Sequence, residues 1–404
     1  MRLLFVVDGR SPIALNWIRY FVERGDEVHL ASTFPCQVEP GLASLEIIPV
    51  AFSSLKSTQS QKTGQTSGAE YFQKGRGLSG IIPVGLRTSL RQWLGPLTIP
   101  AAARRLSELA GRIKPDLVHA MRIPYEGMLA AKADLPVPLV ISVWGNDFTL
   151  HARSNPWMAA YTRLAMRRAS ALHADCRRDS RLALEWGFPS GRPAIVLPGN
   201  GGVQLNVFYP PTQRTPAPVI INPRGFRAYV RNDTFFQAVP GILSKLPQAR
   251  FLCPGMAGEP QALRWLDEYG ISQAVELLPL QSRQQMAELF RQAQVAVSPS
   301  THDGTPNTLL EAMACGCFPV AGDIESLREW ITPGENGFLV DPGDAAALST
   351  AILQVYAQPE LFDRAGKINQ ELISKRAEYN AGMRQAEEFY TRLLEINQIP
   401  KVKP

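Results

Sequence analysis

Several features that mark specialised protein classes are missing from this sequence. It has only five cysteines, and both their odd number and their irregular spacing argue against a disulfide framework or a zinc motif. No apolar run reaches the roughly 18 residues of a membrane-spanning helix. The apolar stretch Leu3–Val7 is too short for a signal peptide and predicts a first β-strand instead. We therefore expect a cytoplasmic protein with reduced thiols.

Aromatic residues are also sparse, at 8% of the chain, and no nucleic-acid-binding motif is present. No strand is followed by G-x-G-x-x-G, which argues against a nicotinamide dehydrogenase. The net charge is nevertheless +6, so an anionic partner is expected. Acidic lipid headgroups and phosphorylated substrates are the candidates, and nucleic acid is not.

Short β-branched runs alternate with amphipathic segments along most of the 404 residues. Several runs are apolar throughout, as in strands buried on both faces of a parallel sheet. The predicted strands are Leu3–Val7, Val28–Ala31, Leu45–Val50, Leu117–Met121, Leu139–Val143, Ala171–Asp175, Ala194–Leu197, Val219–Pro223, Phe251–Pro254, Val275–Leu278, Val295–Ser298, Phe318–Ala321 and Phe338–Val340. The pattern predicts an α/β protein with two doubly wound, Rossmann-like parallel sheets that face each other across a cleft.

A Pro/Gly-rich join at about 199–217 separates the two series of strands. We predict an N-terminal domain over 1–205 and a second domain over 206–375. A final helical segment, 376–404, has an apolar stripe and is expected to pack back across the first domain. The first helix should start at an N-cap on Ser11 and stop at Gly25.

One region, about 53–80, is rich in Ser, Gln, Thr and Gly and predicts a mobile loop. It is followed by a basic amphipathic segment, Leu86–Leu94, that contains Trp93. Such a helix can lie in an anionic membrane surface, which gives a hypothesis of peripheral contact with the inner membrane face. An ordinary surface helix docked on its own domain is the alternative.

The segment from Asp303 to Glu311 is the most informative one. It links a buried strand to a helix that should begin near Asn307. The N–H groups of a helix N-terminus bind phosphate, and Gly304 allows the backbone to approach a ligand closely. Carboxylates on both sides of the turn can accept hydrogen bonds from sugar hydroxyls. The pattern therefore predicts a grip on a nucleotide-sugar.

The run Asp303–Glu311, continued by Ala-Met-Ala-Cys-Gly-Cys-Phe-Pro-Val over 312–320, resembles the signature of retaining glycosyltransferases of family four. The match has Asp303 where the family commonly has Glu. The run Glu335–Val340 and the Pro-Gly-Asn-Gly join at 198–201 are also similar to that family. The resemblance covers nearly the whole chain and implies the GT-B fold.

The resemblance also implies roles for particular residues. Arg224 and Arg231 would bind the diphosphate and, with Asp303, serve catalysis, and Arg227 lies between the two arginines. The implied donor-binding residues are Gly9, Arg10, Ser11, Gly304, Thr305, Pro306, Asn307, Thr308, Leu309 and Glu311. Arginine suits this role because its planar fork binds phosphate oxygens in bidentate fashion.

The acceptor side departs from the family pattern. Met121 and Trp144 stand where the family has histidines, and neither side chain transfers a proton. The remaining candidates are Asp147, preferred as a catalytic residue, together with Arg122, Glu126 and His151. His119 is expected to be a packed strand residue.

The resemblance implies a retaining transfer that needs no metal or other cofactor. A UDP-sugar is the favoured donor, and a saccharide or a lipid-linked saccharide, as in polysaccharide or glycolipid synthesis, is the expected acceptor. Two alternatives stay open: a sugar-nucleotide epimerase of similar fold, and a non-catalytic GT-B scaffold, which the missing histidines favour.

Overall fold

A computed structural model describes residues 1–51, 53, 93–214, 216–227 and 229–398. The described chain forms two compact units. The first contains the residues up to Gly201 together with those from Ala381 onward, and the second is Gly202–Asn380. Most of the predicted loop at 53–80 and residues 86–92 of the predicted amphipathic helix lie outside the described residues. Trp93 and Leu94 are described, and both are exposed.

The described chain contains thirteen strands and twelve α-helices. The strands are β1 (Arg2–Val7), β2 (Glu27–Ser32), β3 (Ser44–Ile47), β4 (Leu117–Ala120), β5 (Leu139–Val143), β6 (Ala171–Ala174), β7 (Ala194–Val196), β8 (Val219–Ile221), β9 (Arg250–Pro254), β10 (Val275–Leu278), β11 (Val295–Ser298), β12 (Phe318–Gly322) and β13 (Phe338–Val340). The helices are α1 (Pro12–Glu23), α2 (Ile99–Ile113), α3 (Met128–Lys132), α4 (Pro156–Arg168), α5 (Arg177–Glu185), α6 (Asn232–Leu243), α7 (Pro260–Tyr269), α8 (Arg283–Gln292), α9 (Asn307–Ala314), α10 (Ala345–Ala357), α11 (Pro359–Arg376) and α12 (Tyr379–Gln398). Within this part of the chain, no helix combines the length and apolar character that crossing a membrane requires.

Each unit is built on one parallel sheet, which confirms the predicted α/β protein with two parallel sheets. The first sheet has the order β3-β2-β1-β4-β5-β6-β7, and the second has the order β10-β9-β8-β11-β12-β13. All thirteen predicted strands are present, with ends that shift by up to three residues. The strand order reverses between β1 and β4 and between β8 and β11. In open α/β sheets, ligands bind at the carboxyl ends of the strands at such a reversal.

The sequence signals of the first helix are confirmed. The Ser11 hydroxyl accepts a hydrogen bond from the Ala14 N–H and caps α1, whose first residue is Pro12. Gly25 follows the helix at a φ of +89°, a conformation that favours glycine. Trp17 and Phe21 are fully buried on the inner face of the helix, as the apolar stripe predicts.

In the first unit, α12 is attached to the sheet by a buried polar contact. The Trp17 indole N–H donates to the Tyr390 hydroxyl over 3.1 Å, and this hydroxyl also contacts Nδ1 of His119. The Tyr390 ring stacks on Phe21 with 5.0 Å between the ring centroids. The last helix therefore completes the core of the first unit.

The contact continues as a chain of hydrogen bonds through the sheet. His119 Nε2 lies 2.7 Å from the Ser142 hydroxyl, which lies 2.8 Å from His173 Nδ1. His173 Nε2 reaches the Leu197 carbonyl at 3.0 Å, so this nitrogen must carry the proton. Each bond then has a fixed direction, and both histidines are neutral. Burial lowers the pKa of His173 to about 4 and that of His119 well below its ordinary value.

Tyr390→Phe should lower the free energy of unfolding by about 2–4 kcal/mol, because it leaves the Trp17 N–H and His119 Nδ1 buried without a partner. Tyr20→Phe is the matched control, since its hydroxyl bonds Glu387 of the same helix near the surface. Reversible urea unfolding measures both variants. Equal, small losses in the two would contradict the proposed role of the chain.

Candidate active site

The reversal point of the second sheet brings together three of the predicted residues. Arg224 follows β8, and Asp303 lies in the loop between β11 and α9. The Arg224 guanidinium donates from Nη2 to Asp303 Oδ2 at 2.5 Å, and its Nη1 lies 3.4 Å from the Thr308 hydroxyl. Both charged side chains are largely buried, with 8% and 13% of their surfaces exposed. We call this set the Arg224 cluster.

Residues further along the chain hold the loop of Asp303 in place. The Ser326 hydroxyl donates to the Asp303 carbonyl at 2.8 Å, and the Trp330 indole donates to the Thr305 hydroxyl at 3.1 Å. The Gly304 N–H donates to Asp303 Oδ1 at 3.2 Å. The Thr305 hydroxyl therefore braces the loop. Ser326 and Trp330 were not predicted, because nothing in their local pattern shows that they return to this loop.

The first turn of α9 starts immediately after Pro306, as predicted. The first N–H groups of a helix have no partner within it, which leaves those of Asn307 and Thr308 suited to an anion. Leu309 differs from its predicted role, because its side chain is buried in the core and its N–H donates to the Pro306 carbonyl. Arg224 Nε and Asn307 Oδ1 are buried, and neither has a hydrogen-bond partner among the described residues. Orphaned polar atoms of this kind call for an explanation, and a ligand is one.

Glu311 lies one turn into α9 and is half-buried. Burial raises the pKa of its carboxyl to about 8, against the opposing charge of Arg283. A carboxyl that titrates close to neutral pH is common at functional sites.

The other two arginines after β8 have different surroundings. Arg231 pairs with Asp233 over 2.8 Å, and its Nη1 lies 3.2 Å from the position of a Cβ on Gly343. Arg227 is exposed and donates to the Tyr229 hydroxyl. Within the described residues, no hydrogen bond or ion pair joins either arginine to the Arg224 cluster.

The loop after β1 in the first unit makes its contacts within that unit. The Gly9 N–H donates to the Ser32 hydroxyl at 3.0 Å, so this donor is already used. A Cβ on Gly9 would lie 2.5 Å from Cys36 Sγ, which explains the glycine by packing. Arg10 pairs with Asp8 over 2.8 Å and stacks on Phe34, while Ser11 caps α1.

Asp147, the preferred first-domain residue, is fully buried after β5. Its carboxylate accepts hydrogen bonds from the backbone N–H groups of Ile123 and Trp144, each at 3.1 Å. It also accepts one from Nε of Arg122 at 2.9 Å, and Arg122 donates to Asn146 as well. This carboxylate ties the loops after β4 and β5 together. Arg122 has a φ of +142°, which is strained for a residue with a side chain.

Glu126 is buried beside these loops. The Thr33 hydroxyl donates to it at 2.6 Å, and burial raises the pKa of its carboxyl to about 7. His151 is half-buried at the end of the helical turn Asp147–His151, where its carbonyl accepts from Ser154. The buried indole N–H of Trp144 has no hydrogen-bond partner in the part of the chain that the structure describes. This N–H lies 3.2 Å from the position of a Cβ on Gly199.

Both units match family models of glycosyltransferases. Residues 218–358 match the family model described as glycosyl transferases group 1, and residues 9–199 match the glycosyl transferase 4-like domain. The chain is 32% identical over 177 residues to a D-inositol 3-phosphate glycosyltransferase of Mycolicibacterium smegmatis. It is 30% identical over 150 residues to the putative glycosyltransferase EpsD of Bacillus subtilis. This match covers 37% of this chain and 39% of that one. The match to the first relative spans 41% of each chain, so the similarity covers about two-fifths of these relatives.

Solved structures extend the similarity to the fold of the whole chain. Sucrose-phosphate synthase from Thermosynechococcus elongatus aligns with a TM-score of 0.74 at 16% identity, over 98% of this chain and all of that one. Anabaena Alr3699/HepE in complex with UDP aligns with a TM-score of 0.70 at 16% identity, over 97% of this chain and 100% of that one. By its family matches the chain belongs to the glycosyl transferases group 1, and by its structural neighbours it has the GT-B fold.

Proposed function

We propose that the protein transfers a sugar from a nucleotide-sugar, with UDP-sugars favoured, to a saccharide or lipid-linked acceptor with retention of the anomeric configuration. The Arg224 cluster is the observation that supports this most directly. It places a largely buried guanidinium beside a helix N-terminus and a carboxylate. The solved complex of Anabaena Alr3699/HepE with UDP is in line with this donor class.

In this proposal the donor diphosphate lies against Arg224 and the first turn of α9. Positive charge that is fixed before the reaction stabilises the negative charge that develops on the leaving phosphate. The departing phosphate oxygen can take the proton of the acceptor hydroxyl. The reaction therefore does not need a histidine in place of Met121 or Trp144. Asp303 orients Arg224, and Glu311 accepts hydrogen bonds from the ribose hydroxyls. Arg231 is a second diphosphate contact only if it leaves Asp233.

We assign the acceptor to the carboxyl ends of β4 and β5. Arg122 and Glu126 are the side chains that would meet its hydroxyl groups there, and Asp147 would hold them in position. A membrane-bound acceptor would suit the net positive charge and the exposed Trp93 and Leu94.

A thermal-shift panel of UDP, GDP and ADP tests the donor class. A ligand at 100 times its dissociation constant should raise the free energy of unfolding by about 2.7 kcal/mol, and we expect UDP to do so. No stabilisation by any nucleotide would contradict the proposal and favour the non-catalytic scaffold. Conversion of a UDP-sugar to its epimer without an acceptor would favour the epimerase.

A further inference from the structure

A second group of charged residues lies behind the acceptor-side loop. Asp175 follows β6, and Arg178 and Asp179 belong to the first turn of α5. Their exposed fractions are only 7%, 7% and 1%. Two acids and one base are seldom buried together unless they are paired and hydrogen-bonded.

Asp175 and Arg178 both contact one residue, Gly145, in the loop between β5 and the turn Asp147–His151. The Gly145 N–H donates to Asp175 Oδ2 at 3.2 Å, and Arg178 Nη2 donates to the Gly145 carbonyl at 2.6 Å. The N–H and the carbonyl of Gly145 are thus both held by side chains from the neighbouring strand and helix. Gly145 immediately follows Trp144 and precedes Asn146, so the residues on both sides of it are fixed as well.

The group has no net charge when Asp175 is protonated and Arg178 and Asp179 are ionised. Arg178 pairs with Asp179, with 2.7 Å between Nη2 and Oδ1. Burial, reinforced by the neighbouring Asp179, raises the pKa of the Asp175 carboxyl well above its ordinary value. A proton on Asp175 would let this carboxyl donate to Asp179, whose carboxylate lies within 4.8 Å, while it still accepts from the Gly145 N–H. The arrangement then satisfies both acids and leaves no uncompensated charge.

We propose that Asp175, Arg178 and Asp179 are positioning residues for transfer: they hold the Trp144–Asp147 loop, and with it Arg122, in the geometry that receives the acceptor. The link runs from Gly145 to Asp147, whose carboxylate accepts from Arg122 Nε and from the Trp144 N–H. The functional part of this inference rests on the proposed glycosyltransferase activity.

A metal site is the competing explanation for the same residues. Ligand atoms of Asp175, Cys176 and Asp179 lie within 4.8 Å of one another. Arg178, however, already forms an ion pair with Asp179, and its positive charge would repel a metal cation. The two explanations differ in what they predict for an amide at position 175.

Asp175→Asn should behave like the wild type, because an amide can donate to Asp179 and accept from Gly145 as a protonated carboxyl does. Asp175→Ala removes both bonds. Hydrogen exchange of a peptide that contains Trp144–Asp147 should accelerate at least tenfold in the alanine variant and less than threefold in the asparagine variant. Arg181→Ala is the matched control, since its ion pair on the same helix is about half exposed.

Kinetics provide the second readout. UDP release from UDP-glucose, with mixed monosaccharides as the acceptor probe, should fall at least tenfold in Asp175→Ala and stay within threefold of wild type in Asp175→Asn. The dissociation constant for UDP should not change in either variant. If Asp175→Ala does not fold, Arg178→Met replaces it, because methionine has a similar length but donates neither to the Gly145 carbonyl nor to Asp179.

Three outcomes would overturn the positioning role. The first is an asparagine variant that exchanges as fast as the alanine variant, and the second is unchanged exchange in both Asp175→Ala and Arg178→Met. The third is stoichiometric zinc binding by the wild type that Asp175→Asn abolishes. If wild-type protein neither binds UDP nor releases it from UDP-glucose, the proposed function fails, while the exchange measurements still decide whether the group holds the loop.

Discussion

Replacing Arg224 by alanine should lower turnover about 100- to 1,000-fold, the range observed when one preorganised donor to a developing charge is removed. In the proposed mechanism Arg224 acts on the leaving diphosphate in the transition state, so the Michaelis constant for the donor should change much less. Steady-state kinetics with a UDP-sugar separate the two effects. The variant also leaves Asp303 without its ion-pair partner, so the thermal midpoint must be measured alongside.

Two further substitutions make this result specific. Arg227→Ala removes an exposed arginine three residues away and should leave turnover within about twofold of wild type. Arg224→Lys keeps the charge but loses the planar fork that spans Asp303 and Thr308, so it should recover only part of the rate. Equal losses of turnover in the Arg224 and Arg227 alanine variants would mean that the loss comes from the general surface charge and not from a specific contact of Arg224. Unchanged turnover in Arg224→Ala would remove the residue from the active site.

Glu311→Ala should weaken donor binding about 10- to 100-fold, because hydrogen bonds to a charged group contribute about 1.5–3 kcal/mol. The expected loss is in affinity more than in turnover, since the ribose contacts are made equally in the ground and transition states. Calorimetric titration with UDP measures it directly. Glu268→Ala, an exposed glutamate on α7, is the control, and an equal UDP affinity for all three proteins would refute the assignment.

The raised pKa of Glu311 adds a pH dependence with a defined sign. With a pKa of about 8, the carboxyl of the free protein is mostly protonated at pH 7. If the ribose hydroxyls donate to the ionised form, binding releases a proton, and UDP affinity rises with pH until it levels off above pH 8. Glutamine cannot ionise, so the UDP affinity of Glu311→Gln should not show this rise between pH 7 and pH 8. An affinity that falls between pH 7 and pH 8 in the wild type alone would contradict this role.

The strands were predictable because most of them are apolar throughout, the pattern of burial on both faces. Their ends were less so. β4 ends at Ala120 rather than at Met121, because the chain turns at Arg122, where φ is +142°. Nothing in the sequence marks this strained position.

The second-domain part of the candidate site was predictable in outline because Arg224 and Asp303 follow strands that lie side by side. Adjacent strands bring the two residues close enough for the ion pair that they form. The first-domain contacts were harder to predict, since Gly9, predicted to bind the donor, and Asp147, predicted to be catalytic, form hydrogen bonds within their own unit. Such bonds join distant segments, as with Gly9 and Ser32, and leave no local pattern.

The order of synthesis gives the position of Tyr390 a further consequence. The first unit needs α12, yet the ribosome must make all of Gly202–Asn380 before that helix emerges. At about 5–20 residues per second, the sheet of the first unit waits on the order of ten seconds or more for its last helix. During that interval Trp17, Phe21 and His119 lack the ring and hydroxyl of Tyr390. The nascent chain therefore exposes an unfinished apolar surface, and the second unit is free to fold first.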